Sequence, residues 1–357
     1  MKYWLVLLLA FCSLTATATA KDYLITASRP NTLHVIDLAA RKVIHNFVIP
    51  GPGIASAIAA VDGGKVAYVL TNHNESVSGI DLDTGKQVFR ADMSDGNVRV
   101  KSMLALAESL DGKLLYVYQI PTRLNRNDYQ VLPTRIAVYS TAAGLDAQPL
   151  RVFPAPRRIS LLAPTAKGNL IGLGWDLYLF NPATGAIEKT FPLRHWQRQG
   201  LGEPDVLDFW PQFERAHMLS TPYYVPRTDV AATAPNAEEV GVLTFDLDKE
   251  VMKATEVGAA DVGFFSSVVN PVDKNEVFAM MNQLCKIDLA AGKIVQRANL
   301  KRTHYAINIS SDGKELYLGG ATNIVSVYDA GNLKKLAEID LPGDSDQGAS
   351  SLRVIQR

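Results

Sequence analysis

The sequence has little cysteine and no excess of charge, and both shortages exclude classes of protein. Its 357 residues include 2 cysteines, Cys12 and Cys285, and Cys12 lies in a predicted leader. One cysteine in the mature chain allows neither an intrachain disulfide nor a thioether haem site of the form C-x-x-C-H. The 36 basic and 36 acidic side chains cancel to a formal charge of zero, so we expect no nucleic-acid partner.

Residues 1–20 predict a cleaved secretory signal. One lysine precedes an apolar run of 12 residues, and small residues follow up to Ala20. A membrane-spanning helix needs about 20 apolar residues, so the run is too short to favour a membrane anchor. Bulky Phe11 precedes Cys12 where bacterial lipoprotein signals have a small residue, which disfavours lipid attachment. We therefore expect export to the periplasm, cleavage after Ala20 and a single domain over 21–357.

Motifs for self-contained catalysis are missing as well. The sequence contains no H-E-x-x-H, no G-x-S-x-G, no P-loop and no dinucleotide-binding G-x-G-x-x-G. The 6 histidines show no short metal-ligand spacing, although residues far apart in a sequence can meet in the fold to form a metal site. We predict no catalytic, cofactor-binding or metal-binding residue in this chain.

The sequence does contain a repeated strand-turn-strand pattern. The clearest copies run from Gly79 to Val88 and from Lys286 to Val295. Each copy has a polar residue, here called the anchor, at the end of a β-rich segment. The spacings between anchors are 44, 59, 41, 65, 42 and 41 residues, close to the period of four-stranded propeller blades. The seven anchors are Asp37, Asp81, Ser140, Asn181, Asp246, Asp288 and Asp329.

The pattern predicts an all-β, seven-bladed β-propeller. Glycines four residues after several anchors, and Asp-Gly turns upstream of them, mark the hairpins of four antiparallel strands per blade. The recurrence of Asp at the anchors favours turn hydrogen bonding rather than catalysis. The residues after the last anchor and those from Lys21 to Asp37 together make one period. We therefore predict that the C-terminal strand, over 350–355, joins the N-terminal blade and closes the ring.

Two insertions, near 119–135 and 193–239, interrupt the repeat. Loops on a rigid scaffold are where binding residues are usually placed, and Trp and Arg dominate protein interfaces. The alternative is that the aromatic residues of the second insertion pack that segment onto the propeller. The predicted partner-interface residues are Tyr129, Arg194, Trp196, Arg198, Asp205, Phe209 and Trp210.

Several segments, spread over essentially the whole mature chain, together carry a family resemblance. They are Asn31 to Asp37, Ala67 to His73, Gly79 to Gly85, Pro192 to Trp196, Pro204 to Leu207, Phe209 to Pro211 and Leu316 to Gly320. With these segments the chain resembles the β subunit of quinohemoprotein amine dehydrogenase, a propeller of the Tyr-Val-Thr-Asn (YVTN) repeat type. The most specific parts of the resemblance lie in the second insertion.

The resemblance implies a subunit of a periplasmic heterotrimer that oxidatively deaminates primary amines. In that family a di-haem cytochrome c α subunit and a small γ subunit with cysteine tryptophylquinone carry the cofactors. The propeller scaffolds both and carries no cofactor itself. The alternative is a free-standing periplasmic propeller that binds a ligand or a protein partner without catalysis.

Overall fold

β-Strands provide nearly all of the regular structure. The computed structural model describes residues 20–207, 212–348 and 350–357, and within these ranges it has one short 3-10 helix, Gly144–Asp146. No helix in the described part of the chain is long and apolar enough to cross a membrane. The strands in chain order are β1 (Asp22–Ser28), β2 (Thr32–Asp37), β3 (Lys42–Val48), β4 (Ile58–Ala59), β5 (Val66–Thr71), β6 (Ser76–Asp81), β7 (Gln87–Asp92), β8 (Val98–Lys101), β9 (Leu106–Glu108), β10 (Leu114–Leu124), β11 (Tyr129–Val131), β12 (Arg135–Ser140), β13 (Arg151–Pro154), β14 (Leu161–Pro164), β15 (Leu170–Leu173), β16 (Leu177–Phe180), β17 (Ile187–Phe191), β18 (Asp205–Val206), β19 (Met218–Pro226), β20 (Glu238–Asp246), β21 (Val251–Ala259), β22 (Ser266–Val269), β23 (Glu276–Met280), β24 (Gln283–Asp288), β25 (Lys293–Asn299), β26 (Ala306–Ile309), β27 (Glu315–Gly319), β28 (Ile324–Asp329), β29 (Lys335–Asp340) and β30 (Arg353–Gln356).

The strands form seven sheets that stand side by side as the blades of a propeller. Each blade has four antiparallel strands, which follow one another along the chain except in blade 1, and blade 3 carries two more, β8 and β11. Inner strands of neighbouring blades contact one another, for example β4 with β9 and β22 with β26. The predicted all-β, seven-bladed propeller is confirmed. Blade 1 combines β30 with β1–β3, and blades 2 to 7 are β4–β7, β9 with β10, β12 and β13, β14–β17, β18–β21, β22–β25 and β26–β29.

The core consists of seven apolar clusters, one between each pair of neighbouring blades. Successive side chains of a strand point to opposite faces of its sheet, so one strand supplies two clusters. In β2, Val35 packs against blade 2, whereas Ile36 packs against blade 7. Each blade therefore needs both neighbours to bury its two faces.

All seven anchors lie at the turn between the third and fourth strands of a blade. The side-chain oxygen of each anchor accepts a hydrogen bond from a backbone amide of the turn. The fourth residue after every anchor has a positive φ, between 51° and 79°. Glycine meets this requirement in four blades, whereas Arg41, Glu250 and Leu333 adopt the same conformation in the others. The predicted role of the anchors in turn hydrogen bonding is confirmed.

Strand β30 closes the ring by pairing antiparallel with β1. Lys21 and Arg357 exchange two backbone hydrogen bonds of 2.9 and 3.0 Å at the end of this pair. Val354 packs into the cluster shared with blade 7, and Ile355 packs into the cluster shared with blade 2. The predicted closure by the C-terminal strand is confirmed, with the strand beginning at residue 353 rather than 350.

Deletion of residues 348–357 should destabilise the entire ring, because it opens two clusters and leaves β1 without its inner partner. We expect the free energy of unfolding to fall by on the order of 5 kcal/mol. Val354→Ala should cost about 1–2 kcal/mol, whereas Val48→Ala on an exposed outer strand should cost almost nothing. Calorimetry of the three variants checks this, and a truncated chain with the wild-type unfolding midpoint would contradict it.

Candidate functional site

The first insertion folds as an extension of blade 3. Strand β10 continues past the end of β12 up to Leu124, where it turns back as β11. Strand β8 pairs with the other side of the same extension. The extension projects from the face that carries the connections between second and third strands and between successive blades. We call this the insertion face, and the opposite face, with the anchor turns, the anchor face.

The predicted bounds of the second insertion enclose regular strands of a blade as well as inserted residues. The range 193–239 includes β18, β19 and the start of β20, which are strands of blade 5. The added length lies in the connection 193–204, in the connection from β18 to β19 and in the long hairpin between β19 and β20. Two predicted interface residues, Phe209 and Trp210, lie outside the described residues.

A cleft of about 430 Å³ lies on the insertion face, between the extension of blade 3 and the loops of blades 4 and 5. Both departures from the repeat contribute to it, since Val131 belongs to the first and Arg194 to the second. The apolar lining comes from Met103, Ile120, Val131, Val206 and Leu207, and the polar lining from Thr134, Arg157, Arg158, Ser160, Arg194 and Asp205.

Trp175 is the central aromatic residue of the cleft. The residue is 46% exposed, and the guanidinium carbons of Arg158 and Arg194 lie 5.3 and 5.6 Å from the ring centroid. These distances are within the range of cation–π attraction. Arg194 also approaches Glu203, with 3.6 Å between Nε and Oε2. Two arginines therefore converge on one exposed indole.

The backbone around this cluster is held in place by close contacts. A Cβ atom on Gly174 would lie 3.2 Å from the carbonyl oxygen of Arg158, a tight contact that glycine avoids. Arg158 itself has a φ of 66°, an unfavourable conformation for a side chain of this size. Tyr118 Oη donates to the carbonyl of Pro156 at 3.0 Å, and Thr134 Oγ1 donates to Ala155 at 2.7 Å. The loop that carries the arginines is thus fixed to blade 3.

Trp196 packs the second insertion onto the propeller. Its ring contacts Tyr223 edge to face at 5.4 Å, and its Nε1 donates to the carbonyl of Gly202 at 2.6 Å. Arg198 lies over the same ring at 4.8 Å and forms a bidentate ion pair with Glu256. Trp196 and Arg198 therefore make intramolecular contacts that secure the loop.

Glu256 is held charged by this contact. Burial alone would raise its pKa, but hydrogen bonds from Arg198 and Tyr223 outweigh burial and lower it. The Tyr223 hydroxyl donates to Glu256 at 2.5 Å, and burial followed by this hydrogen bond raises the pKa of Tyr223. The network joins the loop to the outer strand of blade 5.

The other predicted interface residues lie in or near the cleft. Arg194 and Asp205 line it, and Tyr129, 76% exposed, lies on the edge strand of the blade 3 extension. Sequence reasoning did not identify Arg157, Arg158 and Trp175. Two sequence features could have indicated these cleft residues: a pair of arginines that follows two prolines, and a Gly-Trp turn. Both features lie in connections of ordinary length, which the repeat pattern does not single out.

The central channel of the propeller contains a second polar cluster, in a cavity of about 180 Å³. Glu214 pairs with Arg353 at 3.1 Å; burial alone would raise the pKa of Glu214, but Arg353 and Arg215 outweigh burial and lower it. Glu108 is only 8% exposed, and its Oε2 has no hydrogen-bond partner within the described residues. Burial, reinforced by the negative charge of Asp111, raises the pKa of Glu108 to about 8. One glutamate of the channel is therefore charged and the other protonated at neutral pH.

Other groups with possible chemistry are packing residues. Cys285 is buried, and burial raises the pKa of its thiol to about 11, which makes it a poor nucleophile. His304 is buried as well, and burial lowers its pKa to about 4. Within the described ranges, no group of three His, Cys, Asp or Glu side chains could hold a metal ion.

Comparison with known proteins finds solved structures that share the fold of this chain. No family model matches the chain, and no curated protein matches it. Hydrazine synthase of Kuenenia stuttgartiensis superposes with a TM-score of 0.59 and 12% identity, over 88% of this chain and 90% of that chain. A protein of unknown function from Desulfotomaculum acetoxidans superposes with a TM-score of 0.62 and 11% identity, over 93% and 99%. These likenesses establish the propeller fold alone.

Glu108→Gln should stabilise the protein at alkaline pH. The folded state keeps Glu108 protonated up to about pH 8, whereas the unfolded state loses this proton near its ordinary pKa of 4.5. The stability it contributes is therefore complete below pH 4.5 and lost as pH rises to about 8. We expect the variant to gain on the order of 1–3 kcal/mol over wild type at pH 8 and nothing at pH 4.5. Denaturant titrations across this range check it, with exposed Glu188→Gln as control; a pH-independent difference would contradict it.

Trp196→Ala should lower the free energy of unfolding by about 2 kcal/mol, because it removes a packed ring and a hydrogen bond. Trp175→Ala should cost less than about 1 kcal/mol, since that ring is nearly half exposed. Thermal unfolding of both variants checks the contrast. Equal losses, or a larger loss at Trp175, would show that Trp196 does not secure the loop.

Proposed function

We propose that this chain is the β subunit of a periplasmic quinohemoprotein amine dehydrogenase and acts as its scaffold. The sequence resemblance supports the proposed activity, and the geometry of the insertion face supports the proposed docking surface. Cysteine tryptophylquinone and haem c would belong to the γ and α subunits. When bound there, these groups supply the oxidation of the primary amine and the transfer of its electrons.

The observation that carries the docking part is a concentration of exposed apolar side chains on the insertion face. Tyr129 and Val131 of the edge strand β11 are 76% and 53% exposed, and Met103 nearby is 50% exposed. Apolar surface of this kind around a cleft is typical of partner-binding sites. The edge strand also leaves backbone groups available for pairing with another chain.

The described residues of the segments most specific to the resemblance lie at this same place. Residues 194–196 begin the connection beside the cleft, and residues 204–207 line it. A partner docked here would cover Trp175 and the blade 3 extension together. The role of this chain in the complex would be to position the quinone-bearing subunit and to exclude water from the amine pocket.

A second candidate function is ligand binding by a free-standing propeller. The cleft itself favours it, because a volume of about 430 Å³ with apolar walls and a few charged groups matches the usual form of small-molecule sites. This function needs no partner subunit. The two candidates differ in whether other chains co-purify.

Purification of the tagged chain from cells that also express its neighbouring genes tests the subunit proposal. We expect haem absorption bands and amine-dependent dye reduction in the purified material. Tyr129→Ser/Val131→Ser should reduce the recovered partner about tenfold or more, because it removes the apolar edge.

The matched control is Ile44→Ser/Val48→Ser, which changes two exposed apolar residues on the outer strand of blade 1. It should leave recovery unchanged. A colourless single chain without dye reduction would contradict the subunit proposal. Recovery reduced equally by both pairs would contradict the assignment of the insertion face as the docking surface.

A further inference from the structure

We propose that the cleft on the insertion face binds a free organic anion: a monocarboxylate on a flat apolar body, which contacts Trp175 while arginine side chains hold the carboxylate. The proposal rests on the ligand-binding alternative of the proposed function and not on subunit docking. The isolated mature chain is therefore sufficient to test it.

An excess of positive charge in the cleft points to an anion. Arg157, Arg158 and Arg194 line it, and Asp205 is the carboxylate that lines it among the described residues. Glu203 approaches Arg194 at 3.6 Å, whereas no carboxylate in the described ranges forms an ion pair with Arg157 or Arg158. Arg158 and Arg194 also approach the same indole ring, so their charges repel. An anion between the guanidinium groups would relieve this repulsion.

The cleft is built before any ligand arrives. Gly174 lies against the backbone of Arg158, which holds a φ of 66°. The amide of Arg194 donates to the carbonyl of Trp175 at 3.0 Å. Both arginines are therefore tied to the turn that presents the indole. A fixed arrangement of this kind reduces the entropy lost on binding.

The walls of the cleft decide the class of anion. A guanidinium group binds carboxylate or phosphate through two parallel hydrogen bonds, so the arginines accept either. Asp205 on the wall would repel a phosphate dianion more strongly than a carboxylate monoanion. Met103, Val131 and Trp175 present apolar surface that the apolar body of a ligand would remove from water. A flat ring stacks on the indole at little entropic cost, which favours an aromatic carboxylate.

Isothermal titration of the mature chain with indole-3-acetate and with 2-naphthoate tests the proposal. We expect a Kd below about 1 mM for at least one of them. The matching carboxamide, equal in shape but uncharged, should bind about tenfold more weakly or worse. Arg157→Gln/Arg158→Gln should lose about tenfold in affinity or more, and Trp175→Leu should weaken binding as well.

Lys42→Gln/Lys86→Gln removes the same charge from two exposed residues on the anchor face and should keep wild-type affinity. Thermal unfolding verifies that each variant is folded, and Arg194→Gln replaces the double arginine variant if that variant is not. Equal affinity for carboxylate and carboxamide, no binding by either acid, or full affinity after loss of the arginines would overturn the proposal. If the isolated chain binds neither acid but partner subunits still co-purify, the anion proposal is wrong and the docking proposal stands. If the chain binds the acid but no subunit co-purifies, the docking proposal is wrong and the anion proposal stands.

Discussion

The pairing of β30 with β1 is the contact on which the rest of the propeller depends. Every blade of this chain buries its two faces against its neighbours, and the seven clusters form one continuous circuit. Without the C-terminal strand, blade 1 loses its inner edge and two clusters lose Val354 and Ile355. The pairing of β30 with β1 therefore stabilises contacts around the whole ring, and β30 also reaches blade 5 directly, because Arg353 and the amide of Val354 donate hydrogen bonds to Glu214.

The closed ring also determines where inserted segments and binding residues can lie on the propeller. The strands are fixed by packing on both sides, so added length appears in the connections between strands. The blade 3 extension and the segment before β18 both lie on the insertion face, and the cleft forms between them. Rigid blades hold the short turns at Gly174 and Arg158 in close contact. The cleft thus derives its fixed arrangement from the same closure that stabilises the fold.

The sequence predicted the fold well because its signals are local. A polar anchor and a turn residue with positive φ recur in every blade, and hydrogen bonds within the turn explain the anchors without reference to the rest of the chain. Glycine occupies only some of the positions with positive φ, so the residue type did not predict the positive φ of Arg41 and Leu333. Two predicted interface residues, Arg194 and Asp205, line the candidate cleft, whereas Trp175 lies between strands of ordinary spacing, where no departure from the repeat marks it. Trp196 shows the opposite, since an aromatic residue in an inserted segment secures that segment.

Hydrogen–deuterium exchange of the intact chain and of the chain lacking 348–357 tests the central claim, that ring closure by β30 holds the cleft in place. The amides of Gly174 and Arg194 report on the cleft, because each donates a 3.0 Å hydrogen bond within it. We expect slow exchange at both in the intact chain and strongly accelerated exchange in the truncated chain. Acceleration confined to blades 7, 1 and 2, with both cleft amides still protected, would contradict the claim.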